Sequence, residues 1–208
     1  MLARGDALNM ADGAKNQTGL SSIIIARHGR PALNRNAGPT IGWEDYVKWW
    51  AKYEIGSLAP DQNAPQELIN EVSDAEVLLT SVRPRAIETM AAARPDGSPE
   101  TLSLFNEAPL PPPRWKRAKF LPRRWNVFAR IAWLFGHSLG EENVSESRQR
   151  AAEAAQYLEQ RAAEGKVFLA AHGWFNRMIR TELKRRGWRV VRDQGDRYWG
   201  YRKYEYRK

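Results

Sequence analysis

Ser22-Ile23-Ile24-Ile25-Ala26-Arg27-His28-Gly29 is the stretch on which the reading of this chain turns. Three consecutive isoleucines leave no polar face, so the run reads as a short strand buried on both sides and ended by a glycine. Two further runs have the same character: Ala75 to Ser81, through Val77, Leu78 and Leu79, and Val167 to Ala171. Helical patterns follow both. Pro84 opens one, at the position where its missing N–H costs nothing, and Ile87, Met90 and Ala91 are expected to share its buried face. After Gly173, the spacing of Phe175, Met178, Ile179 and Leu183 predicts a helix that Gly187 stops. Ser145 to Glu164 is Ala-rich and reads as a helix capped by Ser145 and ended by Gly165. Strand, turn and helix in repetition predict an α/β fold, with a mostly parallel central sheet and helices on both faces. Ligands of such sheets lie beyond the carboxyl ends of the strands.

Composition agrees with one folded unit. The chain has 208 residues, 42% of them hydrophobic, with nine tryptophans, enough for a core in a single domain. Residues 1–20 mix charges with Asn, Gln and Gly and read as a loose leader. Residues 21–208 read as one domain with an aromatic and basic insert around 109–136. There is no cysteine, which excludes disulfides, thiolate metal sites and thiol nucleophiles. No apolar run approaches the ~18–20 residues needed to cross a bilayer. The leader does not read as a secretory signal, so a cytoplasmic location is expected. Thirty-three Lys+Arg against twenty-four Asp+Glu leave +9. Such a surface favours anions, whether phosphorylated metabolites, nucleic acid or acidic membranes.

Some segments fit the alternating pattern less well. Gly42 to Ala59 carries Trp43, Tyr46, Trp49, Trp50 and Tyr53, which read as the core of a helical excursion or as a roof over a pocket. Arg114 to Arg130 has seven Lys/Arg and no acid. Arg114 to Phe135 reads as a surface helix turning Phe128, Ile131, Ala132 and Phe135 inward, with contact to an anionic membrane or a large anionic substrate as the less favoured alternative. Lys184 to Lys208 has ten Lys/Arg against three Asp/Glu, and its alternation from Tyr198 suggests a final edge strand.

The residues able to do chemistry gather at strand ends. Arg27-His28-Gly29 follows the first strand. Ser81, Arg85-Ala86 and Thr89 span the end of the second and the helix after it. His172-Gly173 follows the third, and Glu107 lies between them in sequence. This constellation resembles the histidine phosphatase superfamily, the phosphoglycerate-mutase-like enzymes, over Ser22 to Arg186. The Arg-His-Gly triplet, Asn34 six residues past His28, Arg-Ala-x-x-Thr after a serine, and the late His-Gly carry the likeness.

The resemblance implies a phosphoglycerate-mutase-like fold and hydrolysis of a small phosphorylated substrate through a phospho-histidine on His28, with no cofactor and no metal. A neutral imidazole nitrogen can attack phosphorus. Arg27, Arg85 and His172 would hold the equatorial oxygens, arginine by its bidentate fork. Asn34 and Gly173 would complete the phosphate site. Clustered cations hold His28 in its neutral form. Glu107 would protonate the leaving oxygen and later activate water, with Glu100 as the alternative acid. His137 has no counterpart in the pattern and reads as structural, and Arg83 as a surface residue.

Departures narrow the reading. Arg30-Pro31 stands where many members carry an acid or Gln and then a hydroxyl residue, so one phosphate contact is missing. Gly173 follows the second histidine where the acid-phosphatase and phytase branch has Asp. Ala-Pro-Leu-Pro after Glu107 departs from the mutase branch. A phosphatase is therefore preferred. Mutase-type phosphotransfer and a catalytically inactive basic module for nucleic acid or anionic membrane are the alternatives, with nucleic acid disfavoured. Which phosphomonoester is used, and the oligomeric state, stay open at this point.

Overall fold

A computed structural model describes residues 19–207. Most of the 1–20 leader therefore lies outside the described residues. The strands are β1 (Ile23–Arg27), β2 (Val77–Thr80), β3 (Glu100–Thr101), β4 (Val167–Ala171), β5 (Trp188–Asp193) and β6 (Tyr201–Tyr206). They form one sheet in the order β3-β2-β4-β1-β6-β5. The first four strands in that order run parallel, and β6 is antiparallel to both β1 and β5. The helices are α1 (Trp43–Glu54), α2 (Gln66–Val72), α3 (Pro84–Ala93), α4 (Pro122–Leu134), α5 (Val144–Ala162) and α6 (Gly173–Arg185). The α/β expectation holds, with an antiparallel hairpin added at one side.

Alternation along the apolar strands divides the core in two. Ile23, Ile25, Val77, Leu79, Val167 and Leu169 face α5 and α6, and meet Ala155, Leu158, Phe175 and Ile179. Ile24, Ala26, Leu78, Phe168 and Ala170 face α2 and α3, and meet Leu68, Val72, Met90 and Ala93. A third, smaller cluster joins α1 to α4 through Tyr46, Trp125 and Ala129, over the carboxyl ends of the strands. Among the described residues no helix is long and apolar enough to cross a membrane.

Several local expectations are corrected. α3 buries Arg85, Ala86, Thr89, Met90 and Ala93, while Ile87 and Ala91 are left exposed. The polar pair Arg85 and Thr89 is turned inward, which rotates the helix away from the face its apolar residues alone suggest. α5 is capped by Asn143, not Ser145. The Asn143 side chain accepts from the N–H groups of Ser145 and Glu146, and Glu146 returns a bond to the Asn143 N–H. α4 turns Trp125, Ala129 and Trp133 inward, leaving Ile131 half-exposed and Phe135 88% exposed. β6 is an interior strand, and the edges are β3 and β5. Tyr201 and Tyr204 are buried on opposite faces of the sheet, which an edge strand with one wet side would not need. The basic C-terminal stretch is largely neutralised in place. Arg202 pairs with Asp193 and Asp196, Lys203 with Glu71, and Arg192 with Glu67 and Glu71.

Candidate active site

The tips of β1 and β4 are tied together. His28 N–H donates to the Ala171 carbonyl at 2.9 Å, so the residue after each strand faces the same space. The His28 and His172 rings lie 5.2 Å apart, both buried. Gly29 is required by what lies against it. A Cβ there would fall 2.5 Å from the Trp199 indole, which packs over the turn. Gly173 plays a similar part, since a Cβ would come within 3.1 Å of Arg27 Nε.

The hydrogen bonds of His28 select one tautomer. Nδ1 lies 2.7 Å from the Gly29 carbonyl, which can only accept, so Nδ1 carries the proton. Nε2 is then the bare nitrogen, and Arg85 Nε donates to it at 3.3 Å. Burial, then Arg85 and Arg27, lower the His28 pKa well below the usual histidine value. His172 is lowered by burial first and next by Arg85. Its Nε2 bonds the Ser81 hydroxyl at 2.7 Å, while Nδ1 is buried without a partner. Arg27 Nε is also buried and unpartnered, and its guanidinium lies 4.2 Å from the centre of the Tyr198 ring. Buried N–H and ring nitrogen atoms without partners are costly, and an anion supplies acceptors for them.

Arg85 is built deeply into the fold. Its Nη1 donates to the Tyr53 and Glu54 carbonyls at 2.9 Å, and its Nη2 pairs with Glu54 Oε1 at 2.8 Å. An arginine in the first turn of α3 opposes that helix's dipole. Here it closes the carbonyl end of α1, where a cation is favoured. Glu54 also pairs with Arg83 at 2.9 Å, so Arg83 belongs to this network and not to the open surface. Thr89 fixes the frame by accepting from Gly29 N–H and donating to the Arg85 carbonyl.

Glu107 caps the opposite wall. Oε1 accepts from the N–H groups of Ala108 and Phe175 at 3.0 and 2.8 Å, and Oε2 from Trp174 at 3.1 Å. The carboxylate thus sits at the N-terminus of α6, where the dipole favours it. Arg130 holds the loop behind it by donating to the Ala108 and Pro109 carbonyls. Burial pushes the Arg130 pKa down to about 10, with Glu107 opposing that shift.

These groups line one cavity of about 410 Å3. Arg27, His28, Arg85, Glu107 and Gly173 all contribute to it, together with Arg35, Arg123, Arg130 and Arg177. His172 is not among the lining residues; its ring lies 5.2 Å from that of His28. Trp50, Tyr53 and Trp174 supply an aromatic wall, so part of the aromatic excursion does roof the pocket. Asn34 is placed elsewhere. It is exposed, and its Oδ1 accepts from Asn36 N–H in a local turn, while its neighbour Arg35 reaches the cavity. Glu100 lies on β3, paired with Arg161 and Tyr157. His137 bonds the Pro112 carbonyl, in keeping with a structural role. Sequence reasoning missed Glu54, Arg35 and Arg130. Arg35 adjoins Asn34 and Arg130 closes the basic run, but nothing near Glu54 marks it.

No protein-family model and no curated protein sequence matches the chain. Solved structures do. Phosphoserine phosphatase from Entamoeba histolytica superposes with a TM-score of 0.56 at 16% identity, covering 80% of this chain and 81% of that one. Phosphoglycerate mutase from Bacillus anthracis gives 0.54 at 17% identity, covering 83% and 84%. Mycobacterial glucosyl-3-phosphoglycerate phosphatase gives 0.53 at 15% identity, covering 78% and 79%. The fold is therefore the phosphoglycerate-mutase-like α/β fold.

Proposed function

We propose that the protein is a metal-independent phosphomonoester hydrolase that acts through a phospho-histidine on His28. The observation that carries this reading is the fixed tautomer of His28, with an unprotonated Nε2 facing an arginine-lined cavity. Nε2 attacks phosphorus and the P–O ester bond breaks. Arg27, Arg85 and His172 hold the equatorial oxygens, and the Arg85 Nε–H turns from Nε2 to a phosphoryl oxygen as the P–N bond forms. Glu107 passes a proton to the leaving oxygen. Oε2 is the suitable atom, since it accepts one N–H where Oε1 accepts two, and so keeps a lone pair for the proton. Water then attacks phosphorus, Glu107 takes its proton, and the P–N bond breaks to release phosphate.

Arg123 and Arg177 stand exposed on the cavity wall beyond these groups; Arg177 pairs with Asp196, a carboxylate it shares with Arg202, and among the described residues Arg123 forms no ion pair. A substrate with a second negative group suits that wall. Among the relatives by fold, phosphoserine phosphatase has been crystallised with phosphoserine and with 3-phosphoglyceric acid, which carry such a group. The test is release of phosphate from p-nitrophenyl phosphate, and from a panel of phosphorylated metabolites, by the wild type and His28→Ala. Wild-type turnover in a folded His28→Ala protein would overturn the proposal. Product analysis separates the alternatives, since a mutase returns an isomer in place of free phosphate.

A further inference from the structure

We infer that the outer face of α4 docks the protein onto an anionic lipid surface. α4 buries Trp125, Ala129 and Trp133, yet its opposite side is also apolar. Val127 is 53% exposed, Ile131 49%, Leu134 43% and Phe135 88%. These positions step by four, three and one, so they form one stripe along the helix. Phe135 stands at the tip, where Gly136 turns the chain away in the left-handed region. Leu134 also borders a second groove of about 460 Å3 with Val144 and Met178, rimmed by Arg148 and Arg185. Contiguous apolar surface rimmed by polar residues marks an interaction site.

Charge selects the occupant. Arg114, Lys116, Arg117, Lys119 and Arg124 are all exposed, and among the described residues none of them forms an ion pair. The cations of the C-terminal hairpin, by contrast, are largely paired within the fold. A second copy of the chain packed across a two-fold axis would set this basic belt against itself. An anionic bilayer offers both things the face needs: phosphate groups for the belt, and an acyl boundary for Phe135 and Ile131. Val127 lines the candidate active cavity as well as the stripe, so docking would set the cavity mouth at the lipid interface.

The test is co-sedimentation of the full chain with phosphatidylcholine vesicles, pure or mixed with phosphatidylglycerol. Binding to the mixed vesicles, weaker on pure phosphatidylcholine and falling with salt, is expected. The double variant Ile131→Ser with Phe135→Ser should lower the partition coefficient at least about tenfold. Its hydrolysis of p-nitrophenyl phosphate should be unchanged, because neither side chain lines the cavity. Absence of binding to the mixed vesicles, or equal binding by the double variant, would overturn the inference. So would a dimer in solution that this variant converts to monomer, since the stripe would then be a contact between copies. Vesicle binding is read without any activity, so its failure and failure of the phosphatase reading are separate results.

Discussion

Replacing Arg85 by lysine keeps the charge and removes the fork, which makes it a sharp test of how the site is held. The guanidinium is wholly buried and serves four acceptors: His28 Nε2, the Tyr53 and Glu54 carbonyls, and Glu54 Oε1. One ammonium at the end of a flexible stem can reach about two of them. The remaining pair is left buried without a donor, at about 1–3 kcal/mol each, so Arg85→Lys should lose about 2–6 kcal/mol of stability. For a domain of this size each kcal/mol moves Tm by about 2–4 °C, which puts the fall well within reach of a thermal melt. The N–H on His28 Nε2 goes as well. By comparison with removal of one oxyanion donor, kcat should drop by about 10²–10³. Glu54→Gln serves as the control, since it keeps both carbonyl acceptors and removes only the carboxylate charge. Melts and p-nitrophenyl phosphate kinetics on the three proteins decide the matter. An Arg85→Lys protein with wild-type Tm and kcat would refute the claim that this fork organises the site.

Further expectations follow from the same network. His28 and His172 are held neutral in the fold, with pKa values well below 6.5. Unfolded, they take up protons as pH falls through about 6.5, so stability present above that pH is lost below it, by up to about 1.4 kcal/mol per pH unit for each histidine. Denaturant titrations from pH 7.5 down to pH 5 measure the slope, and a flat profile would contradict the assignment. Turnover should stay high below pH 6.5 for the same reason, because Nε2 remains unprotonated there. Glu107→Gln should slow alkyl phosphates far more than p-nitrophenyl phosphate, whose leaving group needs little protonation; equal losses on both would remove Glu107 as the acid. Gly29→Ala forces a methyl group against the Trp199 indole and should destabilise the fold by about 1–3 kcal/mol, as overpacking does, with a melt as the measure. Hydrolysis should persist in excess chelator, and its loss would point to a metal.

Much of the fold was legible because its signals are local. Runs such as Ile23-Ile24-Ile25 and Val77-Leu78-Leu79 have no polar face to show solvent, so they must lie inside a covered sheet. Gly and Pro mark where those runs stop, which places His28, Arg85 and His172 at strand ends before any coordinates are known. The errors have a common source in faces and edges. Whether α3 turns Ile87 or Thr89 inward depends on the Gly29 amide and Arg85 carbonyl that Thr89 serves. Whether β6 lies inside the sheet depends on β5, whose half-exposed sequence looks like a charged tail.

The sequence by itself determined that three buried strands end in two histidines and two arginines, because burial and chain breaks are written in consecutive residues. Only the tertiary structure decided which nitrogen of His28 is free, since that rests on Gly29 from one neighbour and Arg85 from a helix far along the chain. It also decided that Glu54, at the end of an aromatic helix, holds Arg85, and that α4 shows Phe135 to the outside. Contacts between distant segments depend on how helices rotate and pack around the sheet, and no local pattern encodes that rotation.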